Sequence, residues 1–339
     1  MLRRSEPRDA LIEAIARSDR LVLLGDVIEL RHGPLRDALA AARPVLEAFG
    51  EALPEDADVV IVPGNHDHRL LRPWLGRRAA DGSVAALGVE AAVDWREGEP
   101  LERLASWLGP ARTRAAYPGT WLREDVYAMH GHYSDRNTTV PILERLGAGV
   151  MGRVMAEGDG RPARAEDYEA VLAPMYAWID AVAEQGGLGA GARGSVQVRA
   201  WRGLQGRGRH RVRARAVALG FRTLVFALNR AGIGPLRPDV SGPELRRGGL
   251  RALDQVLVDL GIRPEHVLFG HTHRAGPLPG DDRPEWVTSA GTRLLNTGSW
   301  VYERGFLGDE PRRSPYRPGF AAVLEDTGPP ELVNLLDPA

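Results

Sequence analysis

The sequence contains no cysteine, which excludes disulfides, thiolate-bound zinc, iron–sulfur clusters and cysteine nucleophiles. It contains no lysine either, so all 44 basic residues are arginine. A Schiff-base lysine and a phosphate-loop lysine are therefore also excluded. Any metal ion in this protein has to be bound by His, Asp, Glu or Asn side chains.

Long apolar runs are absent as well. No stretch reaches the roughly 18 apolar residues that a transmembrane helix requires. The first 20 residues carry charges throughout and lack the apolar segment of a secretory signal. We therefore expect a cytoplasmic protein, and 339 residues with 43% hydrophobic content are typical of one large domain or two ordinary ones.

Charge is unevenly distributed along the chain, although the net charge is only −1. Residues 193–251 contain 14 Arg against two acidic residues, Asp239 and Glu244. Such asymmetry indicates an anionic partner for the basic segment. The candidates are an anionic substrate, an anionic membrane surface and nucleic acid, of which nucleic acid is the least favoured.

Two apolar strands are predicted at residues 21–24 and 58–62, on either side of a helix over 34–50. Because both strands are apolar throughout, they predict a right-handed βαβ unit in a buried, largely parallel sheet. Further strands are predicted at residues 126–129, 266–269, 294–296, 320–324 and 332–335, and further helices at 11–16, 102–108, 168–184 and 250–260.

Residues 138–249 lack strong strand signals and are predicted to form a helical, Arg-rich insertion. It would separate a first part of the core, residues 1–137, from a second part, residues 250–339. Within the insertion, residues 212–232 combine Arg with apolar side chains, which predicts an amphipathic helix. This helix either packs on the core as a cap, which we favour, or lies in an anionic membrane surface.

Four polar loops each follow directly after a predicted apolar strand. They are Gly25-Asp26, Gly64-Asn65-His66-Asp67, His130-Gly131-His132 and Gly270-His271-Thr272-His273. Ligands of open α/β sheets bind at the carboxyl ends of the strands, so these loops can meet at one point. Imidazole, carboxylate and amide oxygen are suitable ligands for divalent transition metals. The pattern therefore predicts a metal site.

Together with Asn296-Thr297-Gly298-Ser299-Trp300, these motifs resemble those of the calcineurin-like metallophosphoesterase superfamily. The matching pieces span most of the chain. The residues around Asp26 are also similar to the branch that includes UDP-diacylglucosamine pyrophosphatases. The resemblance implies an α/β fold, a four-layer αββα sandwich, with a site for two divalent ions such as Mn, Fe, Zn or Mg.

The resemblance also implies a role for each motif residue. Asp26 would bridge the two ions; the ligands completing one ion would be Asn65, His130 and His271, and His273 would belong to the other. His66 would lie near the leaving group, steadied by Asp67. His132 would be a second-shell donor or a substrate contact. Apart from the resemblance, Arg69, Arg136 and Arg274 lie next to motif loops, and each either contacts the substrate or lies on the solvated surface, which we favour.

One family motif is missing from this sequence. The family opens with an Asp-x-His motif that supplies two ligands of the ion bound by His273, and no such motif precedes Asp26. The second metal site is therefore incomplete. Either the chain begins downstream of its true start, which we favour because residues 11–16 read as the helix after a first strand, or the protein is a one-metal or degenerate member.

Three functions remain open at this point. The favoured one is a metal-dependent phosphoesterase or pyrophosphatase, which uses a hydroxide activated by two metal ions on a small or lipid-linked phosphate ester. The second is a nuclease-type phosphodiesterase that binds nucleic acid through its Arg-rich insertion. The third is a non-catalytic metal-binding protein, which the missing Asp-x-His motif suggests.

Overall fold

The computed structural model describes residues 2, 5–82, 86–109, 112–137, 163–184, 242–302, 307 and 310–337. The chain forms two compact units. The first comprises Met1–His132, Ala183–Gln185 and Arg263–Ala339, and the second comprises Tyr133–Val182 and Gly186–Ile262. The division predicted from the sequence, with boundaries after residues 137 and 249, stays a prediction.

The first unit is built on a seven-stranded mixed sheet in the order β1-β2-β4-β5-β6-β7, with β3 beside β4. Its strands are β1 Arg20–Leu24, β2 Asp58–Val62, β3 Glu90–Ala92, β4 Arg112–Arg123, β5 Val126–Met129, β6 His266–Phe269 and β7 Arg293–Asn296. A separate antiparallel pair consists of β8 Phe320–Val323 and β9 Glu331–Asn334. The predicted α/β class is confirmed, whereas the four-layer arrangement stays a prediction.

Helices of the first unit are α1 Ser5–Ile15, α2 Leu35–Ala52, α3 Arg72–Ala80 and α4 Pro100–Trp107, with short 3-10 helices at His68–Leu71, Arg283–Trp286 and Pro311–Arg313. Helix α2 buries Leu39, Leu46 and Phe49, which recur at helical spacing on one stripe. It connects β1 to β2, and these two strands pair in parallel. The predicted βαβ unit is confirmed.

Strand β4 was not predicted from the sequence. It contains Pro118 and Gly119, residues that are depleted in strand interiors because they weaken or interrupt the hydrogen-bonded ladder. The strand is accommodated because its partners change along its length: it runs parallel to β2 up to Ala115 and antiparallel to β5 from Gly119. β4 thereby joins two parallel pairings into one sheet.

The second unit contains α5 Ser134–Asn137, most of α6 Ala165–Glu184, and α7 Gly242–Leu260. Tyr133 and Tyr168 stack with ring centroids 4.8 Å apart. Their hydroxyls donate to the carboxylates of Glu169, at 2.8 Å, and Asp259, at 2.7 Å. These bonds satisfy buried hydroxyls and connect the three helices.

Helix α7 begins eight residues before the predicted start at residue 250. Its polar first turns are stabilised by Glu244, whose carboxylate accepts hydrogen bonds from Arg247 and Arg251 at 3.0 and 2.8 Å. The predicted amphipathic helix over 212–232 lies outside the described residues, as does most of the Arg-rich segment. Among the helices that are described, none combines the length and the apolar character that crossing a membrane requires.

Candidate metal centre

The predicted ligand loops of the first unit follow strand ends that meet near the middle of β4, since Ile61 of β2 pairs with Ala115 and Met129 of β5 pairs with Gly119. Asp26 and Asn65 follow the parallel strands β1 and β2. His130 and His271 follow the parallel strands β5 and β6. The backbone carbonyl of Leu24, at the end of β1, lies 3.1 Å from Nδ1 of His130. This contact brings the ends of β1 and β5 together, although the two strands are not neighbours in the sheet.

Three pairs of donor atoms among four side chains from these loops lie at coordination spacing. Oδ1 of Asn65 lies 3.1 Å from Nε2 of His130 and 3.2 Å from Nδ1 of His271. The same Nε2 atom lies 3.2 Å from Oδ2 of Asp26. Adjacent ligand atoms of an ion with bonds of about 2.0–2.2 Å are roughly 3.0–3.5 Å apart. One carboxylate, one amide and two imidazoles are the donor types that divalent ions such as Zn, Mn or Fe prefer. Asn65 and His130 each lie at this spacing from two donors, whereas Asp26, His130 and His271 do not form a trio with all ligand atoms within 4.8 Å of one another.

Backbone strain is concentrated at the same residues. Within the described ranges, the non-glycine residues with positive φ are Asp26 at 53°, His271 at 63° and His273 at 58°. This left-handed conformation is unfavourable for side chains with a Cβ atom and persists where the surrounding structure imposes it. All three are predicted metal ligands, which indicates that the backbone is held in place to aim their side chains.

Two glycines make room for the ligands. A Cβ atom at Gly25 would lie 2.1 Å from Nδ1 of His130, and one at Gly64 would lie 2.4 Å from Oδ1 of Asp26. Both distances are far below van der Waals contact. A side chain at either position would displace a ligand.

We expect Gly25→Ala to destabilise the protein by about 2–4 kcal/mol, because it adds overpacking to a backbone with φ of 79°. Urea unfolding measures the change. The matched control is Gly76→Ala in α3, where nothing lies within 4 Å of the added Cβ and a gain of about 0.5–1 kcal/mol is expected. Equal stability of the two variants would contradict the close packing at Gly25.

The ring of His130 is held in a defined tautomer and orientation. A carbonyl oxygen can only accept, so Nδ1 of His130 donates to Leu24 and Nε2 is left facing Asp26 and Asn65. Burial acts to lower the pKa of His130, but the charge of Asp26 outweighs it and the pKa is raised. Burial likewise acts to raise the pKa of Asp26, but His130 and His66 bring it well below its usual value. A cation bound at this site would take the place of any proton on Nε2 of His130 and would face the carboxylate of Asp26.

A second ion would have fewer ligands. Burial lowers the pKa of His273 to about 4, although the negative charge of Asp26 acts to raise it. His273 is therefore neutral at pH 7, the form that binds metals. Asp26 and His273 are the two predicted ligands of this ion, and the described residues ahead of β1 include no histidine. The donor types present suit one ion and provide an incomplete second site.

The structure gives His66 a different partner from the expected Asp67. Nδ1 of His66 lies 2.6 Å from Oε2 of Glu29, and its backbone N–H donates to Oδ1 of Asp26 at 2.8 Å. Burial acts to lower the pKa of His66, but the charge of Asp26 and the bond to Glu29 raise it overall. Sequence reasoning missed Glu29. The sequence feature that could have identified Glu29 is its position, three residues after Asp26 on the same loop.

Asp67 instead connects two loops. Its carboxylate accepts the N–H groups of Gly64 at 2.6 Å and Val27 at 2.8 Å, and the residue is fully buried. Burial and the nearby charge of Asp26 raise its pKa to about 6. The residue thus fixes the loop after β1 to the loop after β2, and its predicted catalytic role stays a prediction.

The three arginines predicted as substrate contacts are engaged by other groups. Nη1 of Arg69 lies 2.5 Å from Oε2 of Glu184. Arg136 belongs to the second unit, where its guanidinium lies 4.8 Å from the ring centroid of Tyr168. Arg274 makes a bidentate pair with Asp281, at 3.0 and 2.5 Å.

We expect Arg274→Met to destabilise the protein by about 3–5 kcal/mol, because it leaves the buried carboxylate of Asp281 unpaired. The side chains of this pair are only 12% and 6% exposed. The control Arg313→Met breaks an ion pair with Glu310 that is 86% and 70% exposed, so less than about 1 kcal/mol is expected. Comparable midpoints in chemical denaturation would contradict the structural role of Arg274.

Another group of potential ligands lies at the opposite end of β5 and β6. Ligand atoms of Asp125, Glu265 and His266 lie within 4.8 Å of one another. Among the described residues, this is the only group of three acidic or histidine side chains whose ligand atoms lie so close together. Both carboxylate oxygens of Asp125 already accept hydrogen bonds from Arg123, at 2.6 and 2.9 Å. The pairing with a cation makes this group a poor metal site.

Comparisons with protein-family models, with curated proteins and with solved structures each found no match. The case for a function therefore rests on the residues and their geometry.

Proposed function

We propose that this protein is a metal-dependent phosphohydrolase, a phosphoesterase or pyrophosphatase, with its metal centre at Asp26, Asn65, His130 and His271. The observation that carries the proposal is the coincidence of backbone strain with ligand chemistry. Asp26, His271 and His273 adopt positive φ at adjoining strand ends. Strain of this kind clusters at functional sites, where it preorganises reactive groups.

The donor set supports this chemistry. A divalent ion held by these four residues would polarise a phosphoryl oxygen and lower the pKa of a bound water. Asp26 and Asn65 follow β1 and β2, and the two histidines follow β5 and β6. Because the ligands are held before any substrate arrives, little reorganisation is needed during the reaction.

His66 is suited to protonate the leaving group. Its Nδ1 faces the carboxylate of Glu29, which fixes the tautomer and favours the imidazolium form. Nε2 is then the atom that carries a proton to the leaving oxygen. General acid catalysis of this kind contributes about 10²–10⁴-fold. Glu29 takes the orienting role that the sequence suggested for Asp67.

The proposal extends to the substrate and the arrangement of layers. A small or lipid-linked phosphate ester is the substrate class, and the four-layer αββα sandwich is the arrangement proposed for the core. The change of partners along β4, from β2 up to Ala115 to β5 from Gly119, divides the sheet into two parts and supports that arrangement. Two divalent ions would act together only if further ligands complete the site at His273.

One observation favours a second candidate function. The second site has two ligands, Asp26 and His273, which suits a protein that binds one ion without turning over phosphate esters. This non-catalytic alternative shares the first metal centre with the phosphohydrolase. A measurement of hydrolysis distinguishes the two functions, whereas a measurement of metal content does not.

The test uses the purified full chain, stripped of metal and then reconstituted with Mn, Zn, Fe or Mg. We expect one tightly bound ion per chain and hydrolysis of at least one member of a panel of phosphomonoesters, phosphodiesters and pyrophosphates. A bound ion without hydrolysis would favour the non-catalytic alternative. Absence of both would overturn the proposed metal centre.

A further inference from the structure

A buried tyrosine–histidine pair lies beside the candidate metal centre. The hydroxyl oxygen of Tyr117, on β4, lies 2.9 Å from Nε2 of His132, a hydrogen-bond distance. The rings are stacked with centroids 5.9 Å apart and planes inclined by 26°. Tyr117 is 0% and His132 is 1% exposed. At this burial, His132 is inaccessible to a substrate from solution, so of its two predicted roles only the second-shell role fits.

His132 packs against a predicted metal ligand. Its ring centroid lies 5.6 Å from that of His130, two residues earlier on the same loop. The ring of His68 meets Tyr117 edge-on, with centroids 6.1 Å apart. A continuous series of rings therefore leads from the 3-10 helix after β2 to His130. Because protein interiors are close-packed, the position of each ring restricts the next.

We propose that Tyr117 and His132 are positioning residues for His130. The hydrogen bond fixes the rotation of the His132 ring, and that ring limits the rotation of the His130 imidazole. The bond from His130 to the carbonyl of Leu24 supplies a second constraint. Together they keep Nε2 of His130 directed toward Asp26 and Asn65. The inference rests on the proposed function insofar as His130 is taken to bind a metal ion.

The first test is Tyr117→Phe, which removes the hydroxyl and keeps the ring. Outer-shell partners of metal ligands typically change metal affinity by about 10–100-fold, so we expect zinc affinity to fall at least about tenfold. Competition of the full-length protein with a chromophoric chelator measures it. The matched control is Tyr127→Phe, which also removes the hydroxyl of a fully buried tyrosine, one that donates to the backbone carbonyl of Val89 and not to a histidine. This variant should stay within about twofold of wild type.

A double-mutant cycle tests whether the two residues act through one bond. His132→Phe keeps a ring against His130 but loses the hydrogen bond to Tyr117. If the bond is the cause, the double variant Tyr117→Phe/His132→Phe has the same zinc affinity as either single variant. Additive losses would show independent packing effects and overturn the inference.

A third measurement does not depend on metal binding. In metal-free protein labelled on histidine, the ring resonances of His130 report its environment. We expect them to shift in Tyr117→Phe and to stay in place in Tyr127→Phe. Resonances unchanged in Tyr117→Phe, or equally shifted in both variants, would overturn the positioning role. A wild-type protein that binds no zinc would overturn the proposed function instead, and the ring resonances would still decide this inference.

Discussion

Asp26→Asn should abolish metal-dependent hydrolysis, with a loss of about 10³-fold or more, since a bound ion supplies several kcal/mol of transition-state stabilisation. The substitution preserves size and removes the one negative charge among the four predicted ligands. Asp26 lies on a loop, so the fold should persist. Turnover with a phosphate-ester substrate and metal content by elemental analysis are the two measurements.

The matched control for this variant is Asp125→Asn. It also replaces an aspartate beside a strand of the sheet, but at the opposite end of β5, where Asp125 pairs with Arg123. Turnover should stay near that of wild type. His271→Ala removes a neutral ligand and should also lower turnover, as Asp26→Asn does. Wild-type turnover by either Asp26→Asn or His271→Ala would contradict the assigned centre.

His66→Ala should retain the metal ion and lose about 10²–10⁴-fold in rate on substrates with poor leaving groups. The reason is that an alkoxide leaving group needs a proton, whereas a nitrophenolate departs without one. The loss should therefore shrink as the pKa of the leaving group falls. A series of aryl and alkyl phosphate esters measures this dependence.

His32→Ala is the control for this series. His32 also faces Glu29, at 3.8 Å, but is 45% exposed, and its loss should change the rate by less than about threefold. Glu29→Gln should show the same leaving-group dependence as His66→Ala with a smaller amplitude, because Glu29 acts through the orientation of His66. An equal loss on all esters in His66→Ala would mean that His66 acts on the metal ion or on the fold.

Buried strands could be predicted from the sequence because a strand that is buried on both faces consists almost entirely of apolar residues. Strands β2, β5 and β6 are almost entirely buried, and each appears in the sequence as a short apolar run. Strand β4 carries Arg, Pro118 and Gly119 among its apolar residues, so nothing local marks it as a strand. Its conformation depends on its pairing partners, which lie elsewhere in the chain.

The partners of charged side chains were less predictable than the strands. Arg69 and Arg274 stand next to motif loops in the sequence, yet in the structure Glu184 and Asp281 hold their guanidiniums. The nearest sequence neighbour is also a poor guide for His66, since Asp67 turns toward backbone N–H groups and Glu29 takes its place. A long charged side chain pairs with an opposite charge that lies within reach in the folded structure, whatever their separation along the sequence.

The sequence by itself determined the donor chemistry of the candidate site. Without cysteine or lysine, and with Asp, Asn and His directly after apolar strands, the ligand types and their placement at strand ends follow from local pattern alone. Only the tertiary structure decided which atoms meet. The curvature that brings Leu24 to His130, and the burial that sets Tyr117 against His132, arise from pairing between strands distant in the chain. No local sequence pattern encodes such distances, because they depend on the packing of the whole sheet.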